Sequence, residues 1–183
     1  MTHYLTQLLY DTLGPVVKHG FDIAVMKECE GKYDVSVQYI KKVLCDKGQL
    51  LDVEANNVIA NLSLDHRKDF VVYLESVFAN VKSYWLGKSE AARKIRETIA
   101  RNPGRCIKLL EEQDYNKDAE LNVNGFKSAF LLQEFNLKKD EIEEAFYLYA
   151  KSNGMLPYHE WLESLNTEYH NLLSKEIHQH VAH

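Results

Sequence analysis

QDYNKDAELNVNGF, residues 113–126, sets oxygen-bearing side chains at alternate positions, as a loop that wraps a calcium ion does. Such a loop takes oxygens from its first, third, fifth, seventh and ninth positions and closes with a bidentate Glu at the twelfth. Asp114, Asn116 and Asp118 fill the first three of these slots, and Glu120 offers its backbone carbonyl at the seventh. Leu121 stands at the eighth, the place for an apolar residue that pairs with a partner loop. The sixth position, where a sharp turn favours Gly, is Ala119, and the twelfth is Gly125, which has no carboxylate to give. Asp114, Asn116, Asp118 and Glu120 are therefore the candidate calcium ligands, in a loop that keeps the pattern but lacks its closing residue. The competing use of the same side chains is to accept backbone N–H groups and turn the chain. That use predicts weak calcium binding or none. It also predicts that exchanging Asp114 and Asp118 together for Ala leaves folding nearly unchanged.

Outward from the loop, the apolar residues recur at helical spacing. Cys106, Ile107, Leu109 and Leu110 precede it, and Phe126, Ala129, Phe130 and Leu132 follow. In the linker NLKKDE, Asn136 offers a cap for a helix whose one face carries Ile142, Ala145, Phe146 and Tyr149. A second turn, Ser152-Asn153-Gly154, leads through Leu156 to a helix bearing Trp161, Leu162, Leu165 and Tyr169. Counted with Gly154 at the sixth position, this loop has Tyr149, Lys151 and Asn153 early and Glu160 last.

The N-terminal half repeats the plan faintly. Gly48, Leu50 and Glu54 match Gly154, Leu156 and Glu160, and Gly20 matches Gly125, at offsets of 106 and 105 residues. Such offsets predict an internal duplication of a two-loop unit. The second loop of the N-terminal half would place Val43, Cys45 and Lys47 where ligands belong, leaving Glu54 alone. Between the halves, Phe70, Leu74, Val77, Phe78, Val81, Tyr84 and Trp85 form a wide apolar stripe on one long helix. Ser89 heads a further helix that stops near Asn102-Pro103-Gly104, which sets the expected domains at 1–102 and 103–183.

The loop DYNKDAELNVNGF, the linker NLKKDEIEEAF and the turn SNGMLPYHEW resemble the EF-hand superfamily, most clearly over 105–165. The long segment between the halves and the stretch HEWLESLNTEYHNL are similar to the sarcoplasmic calcium-binding protein and calexcitin group. The resemblance implies an all-α fold, two helix-loop-helix pairs joined by a long helical segment, with short β contacts between paired loops. It implies a calcium buffer or sensor as the family role, with calcium as the cofactor. It also implies a C-terminal cleft for an amphipathic helix, shaped here by Phe126, Phe130, Phe146 and Trp161.

Composition narrows the remaining classes. With 45% hydrophobic and 27% charged residues the chain can bury a substantial core, and three Pro with eight Gly favour helices. A net charge of -5 without a basic block argues against nucleic acid, and no apolar run reaches the length of a membrane span. Cys29, Cys45 and Cys106, without a CxxC, suit reduced thiols in a cytoplasm. His178, His180 and His183 read as a solvated tail, and Tyr169 with His170 and His159 as helix residues that line a small-ligand pocket only in a rival reading. No phosphate loop, nucleophile elbow or HExxH motif is present to carry catalysis. The expectation is a non-enzymatic module that binds a protein or ligand. The rivals are a calcium buffer or sensor, and a carrier enclosing a small apolar molecule.

Overall fold

The computed structural model describes residues 3–28, 41–42, 45–46, 50–61 and 70–165. Within them the chain is mostly helical: α1 His3–Val17, α2 Phe21–Glu28, α3 Asp52–Asn61, α4 Phe70–Leu86, α5 Glu90–Arg101, α6 Pro103–Gln113, α7 Val123–Phe130 and α8 Lys139–Tyr149. Residues 158–165 are again helical, here α9. Two strands, β1 Glu120–Leu121 and β2 Leu156–Pro157, and a short 3-10 turn, Gln133–Phe135, are also described. The all-α expectation is met at this level. Among the described residues no helix is long and apolar enough to cross a membrane.

The chain forms two compact units. Of the described residues, the first holds those within 1–89 and 143–154, the second those within 90–142 and 155–165. In the first, α1 packs on α3 and α4, and α2 packs on α4. Its core gathers Leu13, Val17, Phe21, Val25, Phe78, Val81 and Leu148, with Phe21 meeting Phe78 edge-on at 5.8 Å. The stripe read from the sequence delivers Val77, Phe78 and Val81 to this core, all buried. Trp85 closes one end: its Nε1 donates to the Tyr10 carbonyl at 2.8 Å, and its ring covers the backbone of Gly14.

The turn after α1 uses Gly20 in the left-handed region, φ 84°, which glycine adopts without a Cβ clash. Gly125, its counterpart by sequence offset, lies inside α7 instead. The two glycines thus do different work, and Gly48 lies outside the described residues.

In the second unit α5 packs on α6, and α6 on α7. Pro103 opens α6 at a position where its missing N–H costs nothing, and α5 and α6 lie in the same unit. The apolar faces flanking the loop bury Cys106, Leu110, Phe126, Ala129 and Phe130. Asn136 does not cap α8. It takes the left-handed conformation, φ 53°, at the end of a short 3-10 turn, Gln133–Phe135. The cap falls two residues later, where the Lys138 amide donates to Glu141 Oε1 at 3.1 Å. Asn suits the left-handed position for the reason it suits a cap: a short polar side chain that can bond nearby backbone.

Candidate functional site

Loop 114–125 is built from the end of α6, β1 and the first turn of α7. Asp114 ends α6, its amide still bonded to the Glu111 carbonyl at 3.1 Å. Lys117 and Ala119 then take left-handed conformations, φ 56° and 63°, which coil the chain back toward Asp114. Ala119 fills a place that glycine would fill with less strain. β1 pairs antiparallel with β2, and Leu121 stands opposite Leu156. Both leucines are buried, so the two loops are joined by a ladder and by an apolar contact at the same register. Asn122 caps α7 by accepting the Gly125 amide on Oδ1 at 3.0 Å.

The carboxylate of Asp114 is the centre of this loop and is 5% exposed. Its Oδ1 accepts from the Asp118 amide at 3.3 Å, and its Oδ2 from the Ala119 amide at 3.0 Å. A third donor comes from outside the loop: the Tyr158 hydroxyl bonds Oδ2 at 2.8 Å. Burial pushes the Asp114 carboxyl up, but the Tyr158 hydroxyl and the Ala119 and Asp118 amides together leave it below the ordinary carboxylate range. The same partnership acts oppositely on Tyr158, whose burial and bond to Asp114 push its phenol up to about 12.

The other candidate ligands behave differently. Asp118 is exposed and its Oδ1 accepts the Glu120 amide at 3.1 Å, an Asx turn. Asn116 is exposed, and Glu120 is half-buried in β1. Among the described residues no three His, Cys, Asp or Glu side chains converge on a point where a metal would sit. At the twelfth position, a Cβ on Gly125 would lie 3.1 Å from Leu121 Cδ2. Fitted to these residues, a calcium ion meets a first-position carboxylate that already holds three donors and a twelfth position without oxygen. It finds too few of the roughly six to eight oxygens it needs. Because Asp114 is buried and satisfied rather than a surface turn residue, replacing it would leave the Tyr158 hydroxyl and two amides without an acceptor. These three partners argue against the expectation that the double Ala exchange leaves folding nearly unchanged.

The loop before α3 shows internal use as well. Glu54 reaches back to accept the Leu51 amide at 3.0 Å, capping α3, and Cys45 donates its thiol to Asp52 Oδ1 at 3.6 Å. Val43 and Lys47 lie outside the described residues. The turn at 150–154 carries Gly154 at φ 85°, with Lys151, Asn153 and Glu160 exposed.

Of the four expected cleft residues, Phe126 and Phe130 lie with ring centres 4.8 Å apart, and Trp161 is 5.6 Å from Phe126. All three are buried in the second unit, and Phe146 is buried in the first. His159 is exposed, its Nε2 3.9 Å from Glu111 Oε1, while Tyr169, His170, His178, His180 and His183 lie outside the described residues.

A polar cluster that periodicity did not reveal lies in the first unit. Lys82, 5% exposed at its side chain, bonds Asp22 Oδ2 at 2.9 Å and the Ala150 carbonyl. Ser152 donates to the same Asp22 oxygen at 3.1 Å, and a cavity of about 250 Å³ opens over Lys82, Leu86, Leu148 and Ser152. No family model, curated protein or solved structure matches the chain.

Proposed function

We propose that the chain is a non-enzymatic, EF-hand-like module that binds a protein or small ligand, and that loop 114–125 takes up calcium weakly or not at all. The observation that supports this most is the Asp114 carboxylate, buried and held by two loop amides and the Tyr158 hydroxyl. A loop whose leading carboxylate is already satisfied needs no ion to hold its shape. The paired Leu121 and Leu156 supply the contact between loops, so architecture and ion binding are separable here. On this reading the partner is an amphipathic helix or a small apolar ligand. Gripping a helix with Phe126, Phe130 and Trp161 requires these mutually packed rings to part. The energy for that step comes from the partner's own apolar surface rather than from calcium.

The test is cross-linking capture of partners on the tagged chain, run in parallel with calcium and with excess EGTA. A partner captured equally under both conditions supports a calcium-independent module. Capture that requires calcium would support the buffer or sensor reading. A small apolar molecule retained through native mass spectrometry would favour the carrier.

A further inference from the structure

Tyr158 follows β2 directly and is 2% exposed. Because Glu120 faces Pro157 and Leu121 faces Leu156, the ladder delivers the next residue, Tyr158, beside the loop on the opposite strand. Its hydroxyl ends 2.8 Å from Asp114 Oδ2, an oxygen that also accepts the Ala119 amide at 3.0 Å. The other carboxylate oxygen accepts the Asp118 amide at 3.3 Å. Three donors therefore converge on a buried negative charge, and one of them crosses between the two paired loops. A buried carboxylate demands such compensation, because an unpaired charge in an apolar setting is strongly disfavoured.

We propose that Tyr158 is a positioning residue that stands in for a cation at loop 114–125: its hydroxyl proton supplies the positive end that an ion would otherwise supply to Asp114, and locks the paired loops in one arrangement. The inference rests on the calcium-independent reading above and adds the residue responsible for it. The ring and the hydroxyl have separable roles. The ring fills the space beside the loop, and the O–H donates a hydrogen bond to the ionised carboxylate. Tyr158→Phe keeps the first and removes the second, which leaves Asp114 with its two loop amides and a vacant acceptor direction. A hard divalent cation seeks carboxylate and carbonyl oxygen and can enter that direction only weakly, because Gly125 still gives the loop no closing carboxylate.

The experiment is a thermal melt of wild type, Y158F and the double variant D114N/Y158F, each metal-stripped and then with millimolar calcium. The expected result is that Y158F melts roughly 5 °C lower than wild type and regains part of that loss with calcium. Wild type and D114N/Y158F should melt at the same temperature with and without the ion. A Y158F chain that folds only with calcium reports the same result in a stronger form. A Y158F chain that calcium does not stabilise, or that folds under neither condition, would overturn the stand-in role and leave the calcium-independent reading in place. A wild-type response as large as that of Y158F would instead overturn the reading on which the proposal rests.

Discussion

At the scale of single residues, the loop is governed by how a buried carboxylate is satisfied. Asp114 and Tyr158 perturb each other in opposite directions, and both shifts favour the pair Asp114 ionised, Tyr158 protonated. The signs follow. Asp114 is held below its unfolded value of about 3.9, so its contribution to stability is complete above that pH and disappears as pH falls through its folded value. Tyr158 is raised from about 10 to about 12, so its contribution is complete below about pH 10 and is lost as pH rises toward 12. Melting temperature against pH should therefore fall on both flanks. Asp114→Asn should flatten the acid flank and Tyr158→Phe the alkaline one; an unchanged profile in either variant would contradict the contact. The spacing of Asp114, Asn116 and Asp118 was legible in the sequence because the loop pattern is local. Tyr158 was not, since its bond spans 44 residues and a tyrosine after a strand looks like any core aromatic.

Among the elements, close backbone approaches carry the packing of the first unit. A Cβ on Gly14 would lie 2.2 Å from Trp85 Nε1, so the indole lies against α1 at this point because that residue is glycine. Gly14→Ala should displace the indole and break its bond to the Tyr10 carbonyl, destabilising by roughly 1–3 kcal/mol as an overpacked core contact does. Denaturant unfolding read by tryptophan fluorescence measures this, and a loss smaller than about 0.5 kcal/mol would mean the ring moves freely. The helices were legible where periodicity was strong. The stripe on α4 and the faces of α6 and α7 emerged with Val77, Phe78, Val81, Cys106, Leu110 and Phe126 buried. Their ends were less legible: Asn136 marked a left-handed turn rather than a cap, and Gly20 and Gly125 matched by offset but not by conformation. Letters shared by cap, turn and bend do not say which of the three geometries the chain adopts.

For the molecule as a whole, the chain returns to its first unit late: residues 143–154 belong with the described residues of 1–89. Lys82 and Asp22 anchor that return by binding the Ala150 carbonyl and Ser152, an arrangement no local pattern announces because the pair is 60 residues apart. Lys82→Met should cost about 3–5 kcal/mol, because it leaves a buried carboxylate unpaired. The double exchange Lys82→Met with Asp22→Leu should recover most of that loss. If the single variant matches wild type in urea unfolding, the pair is not what holds the returning segment. At the sequence-marked loops the carboxylates of Asp114, Asp118 and Glu54 accept the protein's own backbone amides. On the proposed reading, the loops are architecture that persists without an ion. Isothermal calorimetry of the metal-stripped wild-type chain against calcium tests this most directly. The predicted result is no saturable heat, a dissociation constant weaker than about 1 mM. A saturable site in the micromolar range would contradict it, and would mean that loop 114–125 exchanges the Tyr158 hydroxyl for a cation.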